Sequence, residues 1–192
     1  MKRLWTTGYR AYELGVFDEQ KDPKVAVIKA VLQKELRRQL ENTTEEFWLI
    51  TGPQMGVERW SIESALMLQS DFPQLKIALM EPYADFSTRW NENNQARLAA
   101  VKSQVDFVGK VSKKKYESPE QLRAYQNFML YYTDSALLIY DPEREGKTIW
   151  DWRAINRYRE QNKDYALRMI DFDELQEAAE EYSERLRENS EA

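Results

Sequence analysis

Two hydrophobic patterns alternate along the chain. The first is a short β-rich apolar run, seen in RLWTT (Arg3–Thr7), EFWLIT (Glu46–Thr51), LKIALME (Leu75–Glu81), SALLIYD (Ser135–Asp141) and YALRMI (Tyr165–Ile170), with DFVG (Asp106–Gly109) as a shorter candidate. The second has apolar residues recurring every three or four positions, as a helix with one buried face requires. Val25, Ile28, Leu32, Leu36 and Leu40 give the first such face. Further helices are predicted over Gly56–Phe72, Arg89–Val105, Ser118–Tyr132, Thr148–Asn162 and a C-terminal stretch of about 171–188. In the fourth helix, Ser118 reads as cap, Pro119 as first position and Gln121 as the reciprocal capping residue. In the last, Leu175, Ala178, Ala179, Tyr182 and Leu186 form the inward face. SALLIYD is almost unbroken in its apolarity, the mark of a strand covered on both faces.

Strands alternating with helices predict an α/β fold: one Rossmann-like domain spanning residues 1–192, a mostly parallel central sheet, helices on both faces and right-handed crossovers. Strand order is not encoded in this pattern. Glycines follow the predicted strands at Gly8, Gly52, Gly56, Gly109 and Gly146. That edge, beyond the carboxyl ends of the strands, is where open α/β sheets take ligands.

Two loops at this edge carry candidate chemistry. TGPQMG (Thr51–Gly56) leads from a strand into a helix, a setting in which unsatisfied amides and the helix dipole favour an anion. It lacks the Lys-Ser/Thr of a P-loop and is not G-x-G-x-x-G. Gly56 is read as permitting close ligand approach, and Gln54 as offering a donor and an acceptor. Glu58, in the first helical turn, has two readings. It stabilises the helix end, or it faces a sugar as hydrogen-bond acceptor, nucleophile or base. The first loop, Thr7–Asp22, is long for a βα connection. In it Arg10 is a candidate phosphate partner, and Tyr9, Tyr12 and Phe17 either stack on a base or pin the loop. Asp141, at a strand end, is a candidate ribose contact or a turn residue before Pro142. Trp60 and Trp90 are core or pocket wall.

Composition narrows the chemistry. The chain has no histidine and no cysteine, which excludes Ser-His-Asp and Cys-His nucleophilic sites and most zinc ligation, so no metal is expected. The formal net charge of −5 disfavours nonspecific nucleic-acid binding, and the basic run Lys110–Lys115 reads as a solvated loop. No apolar run reaches the roughly 20 residues of a membrane helix. The N-terminus MKRLWTTGYR has no apolar signal region, and a cytoplasmic setting is expected.

Taken together, TGYRAYELGVF, TGPQMGVERW, YESPEQ and ALLIYDPEREG resemble the YpsA-like family of the SLOG (Smf/DprA–LOG) superfamily, in register from Leu4 to about Leu175. The resemblance implies a Rossmann-like fold and a pocket for a nucleotide-derived ligand such as NAD or ADP-ribose. Its glycine-rich motif maps onto Gly52, Gln54, Gly56 and Glu58, followed by Trp60, and its N-terminal motif onto Gly8, Tyr9 and Arg10. It also implies a regulatory role linked to cell division, with room for a protein partner or an oligomer. This chain departs from the pattern at Pro53, in the order Gln126-Asn127 and at Tyr131.

Three functions follow as expectations. The first is a cytoplasmic nucleotide-binding sensor or regulator without turnover, since no acid/base pair is legible. The second is a hydrolase or transferase cleaving a nucleotide N-glycosidic bond with Glu58 as catalytic carboxylate, as related LOG enzymes do with a glutamate. The third is a single-stranded nucleic-acid binder, which the acidic balance disfavours.

Overall fold

A computed structural model describes residues 1–191. Six strands, β1 (Lys2–Gly8), β2 (Phe47–Thr51), β3 (Leu75–Glu81), β4 (Phe107–Lys110), β5 (Ser135–Ile139) and β6 (Ala166–Ile170), form one sheet in the order β4-β3-β2-β1-β5-β6. Every pairing is parallel. The helices are α1 (Pro23–Glu41), α2 (Val57–Leu68), α3 (Glu92–Lys102), α4 (Glu120–Tyr132), α5 (Ile149–Gln161) and α6 (Phe172–Glu191). The Rossmann-like α/β architecture expected from the alternating pattern is thus observed, with a sheet that is parallel throughout.

The order of the strands explains where the helices lie. From β1 to β4 the chain steps one way across the sheet, and from β5 to β6 the other. Right-handed crossovers therefore place α1, α2 and α3 on one face and α4 and α5 on the opposite one. The contacts agree: α1 packs on α2 and α6, α2 on α3, and α4 on α5. The direction reverses between β1 and β5, so the crevice above these two strands is the switch point.

The core is made by the faces that the periodicity marked. Leu32, Leu36 and Leu40 of α1 are fully buried, each contributing roughly 1.5–3 kcal/mol of transfer free energy. Asp22 caps α1 by accepting from the Lys24 amide, with Pro23 at the first position. In β5 the run Ala136–Ile139 is buried throughout, as a doubly covered strand should be.

Several boundaries differ from the sequence reading. α2 ends at Leu68 instead of Phe72, because the Asp71 and Phe72 amides turn back to the Leu68 carbonyl. α3 begins only after Asn91, whose side chain caps it by accepting from the Asn94 amide; Trp90 lies in the preceding turn. Pro119 has helical dihedrals just ahead of α4, and the Gln121 side chain accepts from the Glu117 and Ser118 amides. The inward face expected for α6 holds from Leu175 through the half-buried Ala178, Ala179 and Tyr182 and fails at Leu186. Leu175 is buried, whereas Leu186 is 54% exposed because the helix runs on beyond what it packs against. Among the described residues no helix is long and apolar enough to cross a membrane.

Candidate ligand-binding site

The loops after β1, β2 and β5 meet at the switch point. They are zipped together by the backbone: the Val57 amide donates to the Tyr9 carbonyl at 3.1 Å, and the Ala11 amide to the Met55 carbonyl at 3.2 Å. Gly56 makes this approach feasible. Its φ of 112° and ψ of −138° belong to glycine, and a Cβ there would sit 2.5 Å from the Tyr9 carbonyl oxygen. The bare face of Gly56 is therefore covered by the chain's own first loop. Gly8 is equally confined, with a Cβ position 2.6 Å from the Ile139 carbonyl.

Tyr9 is a tether. Its hydroxyl lies 2.6 Å from the Arg144 carbonyl and 3.1 Å from that of Asp141, and it accepts from the Asp141 amide at 3.0 Å. Burial pushes this phenol up to about 12, against the amide hydrogen bond, which acts the other way. Glu13 adds a second tie, accepting from the amides of Arg10 (2.7 Å) and Lys147 (2.7 Å). Asp141 uses its carboxylate on the Glu143 amide at 2.9 Å, within its own turn. Tyr12 and Phe17 point to solvent, and Trp60 is fully buried in the core.

Beneath these loops lies a cavity of about 420 Å³. Its floor is acidic. Glu58, only 4% exposed, receives the Gln54 amide on Oε2 at 2.8 Å. The Thr7 hydroxyl lies 3.0 Å from Glu58 Oε1 and 3.2 Å from Oδ2 of Asp151, which stands on the first turn of α5. Gln126 donates to the other Asp151 oxygen at 2.8 Å. Burial raises Glu58 above the usual carboxylate range, and Asp151 adds to the effect while Arg10, the Gln54 amide and Thr7 oppose it. Burial likewise raises Asp151, opposed by Gln126, Arg10 and Thr7. Tyr125 closes the floor, its hydroxyl buried with no hydrogen-bond partner. Burial and then the two carboxyls hold this phenol well above its ordinary value.

Gly52 creates the room for this cluster. A Cβ there would lie 2.5 Å from Glu58 Oε2 and 2.6 Å from the Tyr125 hydroxyl. The upper walls are cationic and aromatic. Arg10, Lys147 and Arg123 contribute charge, and Phe86 and Trp150 contribute rings. Arg10 is poorly matched by protein: its Nε is buried without a partner, and Nη1 reaches Thr148 Oγ1 only at 3.5 Å. Trp150 is 63% exposed with Arg153 over its ring at 5.4 Å, an amphipathic platform at the mouth.

Of the residues predicted from sequence, Arg10, Gln54 and Glu58 converge on the cavity, joined by Pro53. Gly8, Gly52 and Gly56 shape it, whereas Tyr9, Trp60 and Asp141 are not among its lining residues. Sequence reading missed Thr7, Asp151, Tyr125, Lys147 and Trp150. Of the positions at which the resemblance implied a departure, Gln126 donates to Asp151, and Tyr131 is 74% exposed on α4 and not among the lining residues. No group of three or more His, Cys, Asp or Glu side chains comes together among the described residues.

A larger cavity of about 520 Å³ lies between α1 and α6, lined by charged side chains. Its charges are matched to one another: Arg168 is paired bidentately with Glu174 at 3.1 and 2.6 Å and approaches Glu35. The smaller cavity at the switch point is the one with buried polar atoms still lacking partners.

Comparison with known proteins agrees with the geometry. The model of the YpsA family, described as a YspA SLOG family, matches residues 4–175. A UPF0398 protein of Limosilactobacillus reuteri (strain DSM 20016) is 59% identical over 191 residues, covering 100% of both chains. UPF0398 proteins of Levilactobacillus brevis (54% identical; 96% of this chain and 95% of the relative) and Oenococcus oeni (49%; 96% and 97%) are similar over nearly their whole lengths. The chain belongs to the YpsA family of SLOG proteins.

Proposed function

We propose that the switch-point cavity binds a nucleotide or nucleotide-derived ligand of the NAD or ADP-ribose class, and that the protein acts as a cytoplasmic sensor or regulator, with cell division as the process its family suggests. Arg10 carries this reading. A guanidinium held over a cavity with its Nε buried and unpartnered calls for an anionic group that can accept several N–H bonds, and phosphate is the best match. The loop amides of Gln54 and Val57 are committed to Glu58 and Tyr9, so anion recognition falls to Arg10, Lys147 and Arg123 instead of to the helix terminus. The exposed Trp150 ring suits a base, and the acidic floor suits a sugar.

The test is calorimetric titration with ADP-ribose, NAD, ADP and AMP, on the wild type and on Arg10→Ala. Binding that Arg10→Ala weakens by tenfold or more supports the reading. Equal affinity in both proteins would remove Arg10 from it.

The Glu58–Asp151 pair favours a second reading, cleavage of a nucleotide N-glycosidic bond. Two buried carboxyls of raised proton affinity can supply a base or nucleophile and an acid. In that reaction water adds to the anomeric carbon, the C–N bond breaks, and the base leaves with a proton. Release of free base from AMP or NAD that Glu58→Gln abolishes would establish turnover. Tight binding without base release would leave the sensor reading alone.

A further inference from the structure

The hydrogen-bond arithmetic of the cavity floor identifies the kind of atom that belongs there. Four carboxyl oxygens are present, on Glu58 and Asp151. Gln54 N–H serves one, Gln126 serves a second, and the Thr7 hydroxyl stands between the remaining two. A threonine hydroxyl has one hydrogen, so it serves either Glu58 Oε1 or Asp151 Oδ2 at any moment. The pair is one hydrogen short. Beside it the Tyr125 hydroxyl, in a residue only 7% exposed, has a hydrogen with no acceptor. The Tyr125 oxygen and Glu58 Oε2 lie 2.6 and 2.5 Å from the place a Gly52 Cβ would occupy, so both pack against Gly52, and Tyr125, Glu58 and Asp151 all line the cavity.

A group that completes this floor must donate a hydrogen to a carboxylate and accept one from a phenol. Phosphate and carbonyl oxygens only accept, and they would meet the carboxylates unfavourably. An ammonium only donates, and would leave Tyr125 unmatched. A hydroxyl does both. We infer that the floor formed by Thr7, Glu58, Tyr125 and Asp151 is a recognition site for a sugar hydroxyl, and that it makes the cavity selective for ribosyl over deoxyribosyl ligands. The inference rests on the nucleotide-binding reading above and adds the identity of the sugar. A ligand lacking that hydroxyl leaves buried groups unmatched on both sides, a loss that corresponds to about tenfold or more in affinity.

Tyr125 and Asp151 are then specificity-determining residues, and Tyr125 has a property that a purely structural residue lacks. Its buried hydroxyl is unsatisfied in the free protein, so Tyr125→Phe should leave the melting temperature unchanged or raise it while weakening ribosyl binding.

The experiment is calorimetry with five probes, each titrated separately: ADP, 2′-deoxy-ADP, 3′-deoxy-ADP, ribose 5-phosphate and 2-deoxyribose 5-phosphate. Wild-type protein should bind ADP at least about tenfold more tightly than one of its deoxy analogues. In Tyr125→Phe and Asp151→Asn the gap should shrink to about twofold or less, with Tyr125→Phe melting no lower than wild type. Where 2′-deoxy-ADP is the weaker analogue, ribose 5-phosphate should outbind 2-deoxyribose 5-phosphate without a base; where 3′-deoxy-ADP is the weaker, the two ribose phosphates should bind alike. Equal wild-type affinity for ribo and deoxy probes would overturn the hydroxyl assignment while leaving nucleotide binding in place. Failure of every probe to bind would overturn both.

Discussion

Glu58 and Asp151, brought from α2 and α5 to opposite sides of one threonine, lie 3.0 and 3.2 Å from the same Thr7 hydroxyl. Each carboxyl is raised in proton affinity, chiefly by burial. The fold thus places an unfavourable charge beneath a cavity and leaves it incompletely matched, an arrangement that local packing does not require and that a ligand can relieve.

The pair has a signature in stability against pH. The ordinary value for glutamate is 4.5, and Glu58 lies above it in the native state. As pH rises from 4.5 towards the native value, the unfolded chain releases the proton while the native state keeps it, so this group's contribution to stability falls. Above the native value the penalty is constant. Glu58→Gln does not titrate, and it also removes the repulsion that Asp151 feels. The melting temperature of Glu58→Gln relative to wild type should therefore be higher at pH 8 than at pH 4. Melting curves across that range check this; a relative gain at pH 4 instead would contradict the burial of the carboxyl.

Gly52 and Gly56 should respond differently to alanine. At Gly56 a Cβ would press on the Tyr9 carbonyl from a backbone conformation that L-residues rarely adopt, so Gly56→Ala should cost about 2–4 kcal/mol. At Gly52 the added atom would meet side chains, Glu58 and Tyr125, that have open space beside them. Gly52→Ala should cost about 1–2 kcal/mol and should weaken any ligand that reaches the floor. Denaturant unfolding gives the order of the two.

Tyr9 is predicted to act through stability. Tyr9→Phe removes the hydroxyl that joins the first loop to Asp141 and Arg144, and should cost about 1–3 kcal/mol. The loop amide of Asp141 loses its acceptor in the variant. Hydrogen exchange at Asp141 should accelerate more than at amides of β3, which lie away from this contact.

The strands, the long first loop and the glycine-bearing second loop were legible because apolar periodicity and glycine placement are local properties. LKIALME matches β3 residue for residue. Strand order was not legible, since it is decided by which apolar faces pack together. Asp151, the second carboxyl beside Thr7, was missed for the same reason. Thr7 reads as a β-branched strand residue, Asp151 as an acid in a first helical turn and Tyr125 as core, each adequately explained by its own element. Only the meeting of β1, α2, α4 and α5 at the switch point makes them one cluster. The packing of the first loop on Gly56 was not legible, because it is a contact between segments far apart in sequence.

The most direct test of ligand binding at the switch point is a thermal shift with AMP, ADP, NAD and ADP-ribose at about 1 mM, run on wild type and Arg10→Ala. A ligand present at a hundred times its dissociation constant stabilises the native state by about 2.7 kcal/mol, several degrees for a domain of this size. At least one of the four should raise the wild-type melting temperature by that order, and Arg10→Ala should lose most of the shift. No shift with any of them in folded wild-type protein would contradict nucleotide binding at this cavity.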